Sequence, residues 1–436
     1  MTSTTLHRRH LLDALFIGLL GLYILAGVLA VPLHGDESTI IFMSRDVEAL
    51  RPDQIATLFF HDPPRVDPAV QELRLLNGSI TFFGMGALWK LAGFQAADVN
   101  EQWDWGADYA YNQTTGHIPS ARLLFVARLW SAFCTLLSTA ILFAIAKRLM
   151  PRMGAWIAAL AYVLLPALLL NGRRASFEGS VQITLMLLLW SAVVLTQRIA
   201  AGRDKAIHWL LVGLAAGASA AAKHNSLLVI LPVVGIVIIY DLVRQRDWAR
   251  SIGRAALTAL ATVAIFLALS PAWWSADPHI PSTVVQLRFD LMRNQSNTFG
   301  GFADFGQRLN AALTAVIAPP QYYEVNAGWP EWLAESIRQY EVQPFLLIPL
   351  RGIPLPPISL IVVALGVLAL PRTAAAMLIR VSAVSTLLSL LLLNPLPWQR
   401  YYLPLAPFYA LLYGAGITYL AMVARRWIEA RRVRAA

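Results

Sequence analysis

The sequence is poor in cysteine and in charged residues, and these shortages exclude several protein classes. The only cysteine is Cys134, so neither an intramolecular disulfide nor a cysteine metal cluster can form. Charged residues make up 14% of the chain and hydrophobic residues 57%, whereas soluble domains carry about 25% charged residues. A soluble globular protein is therefore excluded, and the chain is an integral membrane protein. Without internal repeats or low-complexity segments, a single domain over residues 1–436 is the simplest organisation.

The apolar runs are rich in leucine, alanine and valine, and they predict helices rather than a barrel. A helix needs about 20 apolar residues to cross the hydrocarbon core. The predicted fold class is an all-α integral membrane protein with about ten transmembrane helices and interfacial helices in two long outer loops. The predicted spans are residues 13–31, 121–145, 153–170, 179–195, 207–222, 226–243, 255–273, 358–370, 374–393 and 402–423.

The positions of the arginines predict the orientation. The net charge is +10, and arginines recur in the short segments between apolar runs, as the positive-inside rule requires. This pattern explains the basic total without a nucleic-acid partner. It places both termini in the cytoplasm and the long regions 33–121 and 275–341 outside. The lysine-poor, arginine-rich composition is typical of a bacterial inner (plasma) membrane protein.

Four segments require separate interpretation. The apolar run 11–32 exceeds the 7–15 residues of a cleavable signal sequence, so we expect an uncleaved first helix. If residues 80–94 crossed the membrane, nearly all the arginines would move outside, so we interpret this stretch as an interfacial helix. Residues 342–350 predict a re-entrant or interfacial helix. Residues 294–306 contain three glycines and fit either a mobile lid or a disordered connector.

Several ionisable residues stand where the chain leaves the predicted membrane. Asp36 and Glu37 follow the first span directly. Two adjacent acids beside hydrocarbon must be hydrated, neutralised by a basic partner or employed in function. A solvated turn is the alternative interpretation. Lys223, one of four lysines, separates two apolar helices and could instead extend toward lipid phosphates. Arg128 lies inside the second span, where it indicates either function or an internal ion pair.

An ordered set of motifs resembles those of the C-type (GT-C) membrane glycosyltransferases. This superfamily includes the protein O-mannosyltransferases and the bacterial aminoarabinose transferases of the family 39-like group. The chain departs from the family pattern at Asp62, which interrupts a His-Pro-Pro motif, and at Glu178, where the family often has Asp. The matching pieces are Asp36-Glu37, His61-Asp62-Pro63-Pro64, Ala127-Arg128-Leu129-Trp130-Ser131-Ala132, Lys147-Arg148-Leu149, Arg174 to Glu178, Ala222-Lys223-His224-Asn225 and Arg400-Tyr401-Tyr402-Leu403-Pro404.

The resemblance implies transfer of a sugar from a polyprenyl-phosphate carrier to an acceptor hydroxyl on the extracytoplasmic face. The acceptor can be a protein, a lipid or a glycan. A hydroxyl is a weak nucleophile, so a carboxylate must take its proton; Asp36 is the candidate general base, with Glu37 beside it. Cations must stabilise the leaving phosphate. Lys223 and Arg400 are the candidates, as a point charge and a planar fork.

The remaining site predictions concern substrate binding. Glu178 and Glu37 would orient sugar hydroxyls or the acceptor, and Arg128 would pair with an acid or with the phosphate. His61 and Tyr401 complete the predicted set, although Tyr401 also fits the aromatic belt at a membrane surface. No tight metal-ligand spacing occurs in the sequence, and the mannosyltransferase branch is metal-independent, so no metal and no other cofactor is expected.

Two other protein classes are compatible with parts of the sequence. A transporter or lipid flippase often contains helices broken at mid-membrane and related halves. Prolines that could break helices are present, but no halves match and the candidate charges gather at outer helix ends. A non-catalytic scaffold would not need Asp36, Lys223 and Arg400 on one face. The prolines in question are Pro166, Pro232, Pro404 and Pro407.

Overall fold

The computed structural model describes residues 3–324, 329–342 and 355–435, and within these ranges the fold is helical without strands. Its α-helices are α1 (Ser3–Ala26), α2 (Gly35–Met43), α3 (Pro68–Leu76), α4 (Ser79–Leu91), α5 (Tyr109–Thr114), α6 (Ala121–Leu149), α7 (Arg152–Val163), α8 (Pro166–Arg173), α9 (Phe177–Ala200), α10 (Ala206–Ala222), α11 (Leu227–Gln245), α12 (Trp248–Leu269), α13 (Ile280–Phe299), α14 (Phe305–Thr314), α15 (Trp329–Val342), α16 (Leu355–Ala369), α17 (Ala374–Leu393) and α18 (Ala406–Ala435). Short 3₁₀ helices cover Ser44–Ala49, Ile55–Leu58, Ala96–Asp98, His224–Ser226, Pro271–Trp273 and Gln399–Leu405.

The predicted all-α membrane fold is confirmed. In the described part of the chain, seven helices are long and apolar enough to cross a membrane. The bent pair α7 and α8 forms an eighth candidate, with an angle of 61° at the break. The apolar helices α10 and α16 are shorter; α10 has 17 residues. Each of the ten predicted segments thus contains helix, and the count of ten spans stays a prediction.

Ion pairs at the two ends of α6 define two ends of the helix bundle. Near the start of α6, Arg128 binds Glu37, which follows α1 in the chain. At the far end of α6, Lys147 Nζ lies 2.9 Å from Asp13, near the start of α1. Arg152 Nε donates to the same carboxylate over 2.8 Å. The two helices therefore run antiparallel, with the Glu37 and Asp13 clusters at opposite ends.

Small residues bring α10 and α12 into close contact. A Cβ atom on Gly213 or Gly217 would collide with backbone carbonyl oxygens of Thr258 and Thr262, respectively. The Thr262 hydroxyl also donates to the Gly213 carbonyl over 3.2 Å. Such small-residue contacts are a common packing mode in membranes. They fix the axis of α10 and thereby the position of Lys223, which follows its last residue.

Helix α4 corresponds to the predicted interfacial segment 80–94. It has 13 residues and is about 20 Å long, too short to cross about 30 Å of hydrocarbon. Helix α4 buries Phe82, Met85 and Trp89 in a cluster with residues of α2 and α6. The Trp89 indole also donates to the Ser44 hydroxyl over 2.8 Å. The helix is therefore anchored to the Glu37 end of the bundle, and its location on the membrane surface stays a prediction.

The second long region is more helical than its sequence suggests. Within 294–306, α13 continues to Phe299 and α14 starts at Phe305, so only residues 300–304 connect them. Gly300 ends α13 with φ +78°, a conformation that glycine adopts without steric penalty. The prediction of a long loop here is therefore corrected, while a lid movement of the short connection stays a prediction. The predicted segment 342–350 lies, after Val342, outside the described residues.

Candidate active site

A cavity of about 530 Å³ opens between α2, α3, α13 and the 3₁₀ helix Gln399–Leu405. Its charged and polar lining comes from segments far apart in sequence, and much of the remaining lining is apolar. The charged and polar residues include His34, Asp36, Lys223, Arg288, Tyr323, Glu324, Arg400 and Tyr401. The apolar residues include Ile40, Met43, Leu73, Leu76, Phe82, Phe177, Leu291 and Phe299.

Asp36 and Arg400 form an ion pair in this cavity. Arg400 Nη1 donates to Asp36 Oδ2, and Arg400 Nε lies 3.2 Å from Glu324 Oε1. The guanidinium carbon lies 5.2 Å from the ring centre of Trp398 and 5.7 Å from that of Tyr401. Burial raises the pKa of Asp36, but the attraction of Arg400 outweighs it, so the pKa is below its ordinary value. Asp36 is therefore a carboxylate near neutral pH.

His34 links Asp36 to Glu324. Its Nδ1 accepts the Asp36 backbone N–H over 3.1 Å as the cap of α2. Because Nδ1 is the acceptor, the proton is assigned to Nε2, which lies 2.7 Å from Glu324 Oε2. The His34 ring is stacked on Tyr323, with ring centres 5.7 Å apart. Burial raises the pKa of Glu324, but Arg400 and His34 together lower it well below its ordinary value.

Lys223 reaches the cavity from the end of α10. Its Nζ lies 2.9 Å from Glu178 Oε1, in the first turn of α9. The ammonium also lies 5.5 Å from the ring centre of Phe177 and 5.6 Å from that of Tyr401. Lys223 lines the cavity, whereas Glu178 lies behind it. Of the predicted substrate-binding residues, Lys223, Arg400 and Tyr401 thus share one cavity with Asp36.

The structure corrects the prediction that Glu37 contacts substrate. Glu37 is 1% exposed, and Arg128 holds its two carboxylate oxygens over 2.8 and 2.9 Å. The carboxylate also accepts the backbone N–H groups of His34 and Ala175. Arg128 makes a further hydrogen bond to the Val28 carbonyl. The hydrogen-bonding groups of Glu37 and Arg128 are thus occupied by protein partners. The two side chains therefore position the start of α2 instead of binding substrate.

The predicted role of His61 is also corrected. Its backbone N–H donates to Gln71 Oε1 over 3.0 Å, and the Gln71 amide donates back to the His61 carbonyl over 2.9 Å. The His61 ring lies near the Ala56 carbonyl. None of these contacts involves the cavity lining. The segment is tied to α3, so His61 supports the loop and does not reach the site.

Several cavity residues escaped the sequence-based site prediction, and three of them are His34, Glu324 and Arg288. His34 directly precedes the acidic pair in the chain, a proximity that could have suggested it. Glu324 lies in the second long region, and no periodic pattern marks it there. Arg288 is on α13 and donates to the Leu76 carbonyl; burial lowers the pKa of its guanidinium. Among the described residues, no group of three or more histidine, cysteine or acidic side chains is arranged to hold a metal.

Comparisons with known proteins agree with this architecture. Residues 120–274 match the family model described as dolichyl-phosphate-mannose-protein mannosyltransferase. No protein of curated function matches the sequence significantly. The apo structure of ArnT from Cupriavidus metallidurans is similar, with 15% identity, a TM-score of 0.50 and coverage of 94% of this chain and 60% of ArnT. AglB, an oligosaccharyltransferase from Archaeoglobus fulgidus, shows 11% identity and a TM-score of 0.52 over 95% of this chain and 51% of AglB.

The coverage figures show that this chain spans about three fifths of ArnT and half of AglB. The family match includes Arg128, Glu178 and Lys223, while Asp36 and Arg400 lie outside it. At these low identities, the similarity to solved structures concerns the fold. The motif resemblance, the family match and the structural similarity agree: the chain has the fold of the C-type (GT-C) membrane glycosyltransferases.

Proposed function

We propose that the protein transfers a sugar from a polyprenyl-phosphate carrier to an acceptor hydroxyl on the extracytoplasmic face of the membrane. The observation that carries the proposal is the meeting of Asp36, Arg400 and Lys223 in one largely apolar cavity. These residues come from three distant parts of the chain. Such convergence of a carboxylate with cations in a pocket is the arrangement expected of a substrate site.

The class of donor follows from the comparisons and from the cavity. The matching family model names a dolichyl-phosphate sugar as the donor of its members, and the AglB structure contains a dolichol-phosphate. A lipid-linked sugar phosphate has an anionic head and a long apolar tail. The cavity offers cations together with an apolar wall that includes Ile40, Leu73 and Leu291.

In the proposed reaction, Asp36, Arg400 and Lys223 each have a distinct role. The acceptor oxygen attacks the anomeric carbon and forms the new glycosidic bond, while Asp36 takes the hydroxyl proton. The bond between the anomeric carbon and the phosphate oxygen breaks, and its electron pair leaves with the polyprenyl phosphate. Arg400 and Lys223 stabilise the added negative charge of that phosphate. Tyr401 lies beside both cations and closes this side of the cavity.

The charge distribution supports the proposed side of the membrane. The cavity lies at the Glu37 end of the bundle, opposite the cluster of Asp13, Lys147 and Arg152. The connections at the basic end belong in the cytoplasm by the positive-inside rule. This supports the proposal that both termini lie inside and that the cavity faces the outer side of an inner (plasma) membrane.

Transfer by the purified protein tests the function directly. We expect the wild type to move labelled sugar from at least one member of a panel of polyprenyl-phosphate sugars to an added acceptor. The Asp36→Asn variant should lose at least about a hundredfold in rate, as expected for removal of a general base. Glu101→Gln, at an exposed acid outside the cavity lining, is the control and should retain activity.

Mass spectrometry of lipid that co-purifies with the protein would identify the carrier. Movement of the lipid across vesicles without sugar transfer would instead favour a flippase. Equal transfer rates for Asp36→Asn and the wild type would contradict the base assignment.

A further inference from the structure

We propose that the two carboxylates around Arg400 have different tasks. Glu324 is a positioning residue that keeps hold of the guanidinium, and Asp36 is the exchangeable partner whose place the donor phosphate takes. The inference rests on the proposed function and deepens it. It follows from the unequal ways in which Glu324 and Asp36 are attached in the cavity.

Glu324 is held from two sides. Its side chain is 7% exposed, one oxygen lies 3.2 Å from Arg400 Nε, and the other lies 2.7 Å from His34 Nε2. His34 is equally buried, and its Nδ1 is already occupied by the Asp36 backbone N–H. The imidazole proton is thereby directed at Glu324. Moving Glu324 away would leave the buried His34 N–H without an acceptor and would remove one of the two acids that neutralise Arg400, which is unfavourable.

Asp36 is attached less firmly. Its side chain is 30% exposed and contacts Arg400 through the single nitrogen Nη1 rather than through a two-point fork. The His34 nitrogen nearest to its carboxylate, at 3.9 Å, is the acceptor Nδ1 and gives it no proton. Solvent can therefore hydrate the Asp36 carboxylate as soon as it leaves the guanidinium, and its release frees Arg400 Nη1 for the arriving phosphate.

The geometry makes the exchange necessary for catalysis. While Asp36 occupies Nη1 on the cavity side, a phosphate cannot bind the guanidinium as a two-point anion. A carboxylate paired with arginine is also a weaker proton acceptor than a free one. Binding of the donor phosphate to Arg400 would displace Asp36 from the guanidinium and, in the same event, free the Asp36 carboxylate to accept a proton. Glu324 would meanwhile keep the guanidinium in place, with its carbon 5.2 Å from the centre of the Trp398 ring.

Binding of a sugar-free polyprenyl phosphate to the Asp36→Asn variant tests the exchange. The amide carries no charge that competes with the phosphate, so we expect an affinity about tenfold higher than that of the wild type, although transfer is lost. Glu101→Gln is the control, because Glu101 also pairs with an arginine, Arg45, but is exposed and lies outside the cavity lining. Its affinity should equal that of the wild type, and Arg400→Ala should lose most of the binding.

The possible outcomes separate this inference from the proposed function. If the wild type binds the lipid phosphate and Asp36→Asn binds it no more tightly, the exchange is wrong and the transferase proposal stands. If the wild type does not bind the lipid phosphate, or if Arg400→Ala binds it equally well, the proposed phosphate site is wrong. Thermal unfolding of each variant in the same detergent shows whether it is folded.

Substitution of Glu324 tests its positioning role. Glu324→Ala should raise the donor KM about tenfold with a smaller effect on kcat, because Arg400 loses its fixed partner. Glu324→Gln should recover most of this loss and stay within about threefold of the wild type, since its carboxamide oxygen can accept the His34 proton and keep the side chain beside Arg400. A wild-type donor KM for Glu324→Ala would overturn the positioning assignment.

Discussion

At the scale of single residues, sequence reasoning located the charged groups but not their partners. Asp36, Lys223 and Arg400 meet in one cavity because each stands at a helix end on the same side of the bundle. Helix ends can be derived from apolar runs, so this convergence was accessible from sequence. Glu324 and Arg288 were not, because long-range packing brings α13 and the following loop to the cavity.

The adjacent acids Asp36 and Glu37 show a second limit. Neighbouring residues in a helix face different directions, so one carboxylate enters the cavity and the other points into the protein. The sequence identifies the pair but does not tell which member is buried against Arg128. That distinction depends on the position of α6, which approaches from more than 80 residues further along the chain.

The buried pair of Glu37 and Arg128 predicts a loss of stability. Glu37→Gln leaves the Arg128 charge buried without its counter-ion, which costs about 3–5 kcal/mol in comparable buried pairs. We therefore expect a clearly lower thermal transition of the purified protein. Glu101→Gln, at an exposed acid whose Arg45 contact is partly solvated, should unfold like the wild type. An unchanged transition for Glu37→Gln would contradict the structural role.

The lowered pKa of Glu324 predicts a pH dependence of stability. A carboxyl group whose folded pKa lies below its unfolded value contributes stability that is present above the unfolded pKa. That contribution is lost as the pH falls from about 4.5, the ordinary value, toward the lowered one. We expect the wild type to lose more thermal stability between about pH 5 and pH 3 than Glu324→Gln does. Equal losses in scans at several pH values would contradict this assignment.

At the scale of elements, most helices follow from the apolar pattern, and the exceptions have identifiable causes. The break between α7 and α8 coincides with Pro166 at the first residue of α8, a position that proline favours. The segment 294–306 was interpreted as a loop because its glycines suggested flexibility. Yet α13 and α14 extend into it, and Gly300 acts as a helix terminator rather than as a hinge.

The close packing between α10 and α12 leads to a testable prediction about the stability of α10. Gly217→Ala would place a methyl group against the Thr262 carbonyl, a backbone atom that cannot rotate away. We expect lower stability and weaker binding of lipid phosphate, since α10 carries Lys223. Gly235→Ala in α11 is the matched control, because no atom lies within 4 Å of its added Cβ. Similar thermal transitions for both variants would show that this contact is not limiting.

At the scale of the whole molecule, the fold class could be derived from composition and apolar periodicity alone. The orientation depends on charge counting, and the structure adds that the Asp13 and Glu37 clusters occupy opposite ends of the bundle. The shape of the cavity could not be derived. It depends on how residues 33–121 and 275–341 fold over the helix ends, and neither region has a strong periodic pattern.

The orientation can be checked by cysteine labelling. Gln95→Cys and Ala201→Cys place thiols at two exposed positions that we assign to opposite sides of the membrane. The native Cys134 is buried, so it should stay unlabelled until the protein is denatured. We expect an impermeant reagent added to intact cells to label the first variant only. Labelling of both variants from outside would overturn the predicted topology.

The shortness of α10 has a consequence for the surrounding lipid. Its 17 residues extend over about 25 Å, several ångströms less than a typical hydrocarbon core of about 30 Å. If α10 crosses the membrane, we expect the bilayer to thin locally to match its length, beside the cavity that Lys223 lines. A carrier headgroup then needs to sink less deeply to reach the ammonium, and vesicles made from short-chain phospholipids should support the fastest turnover.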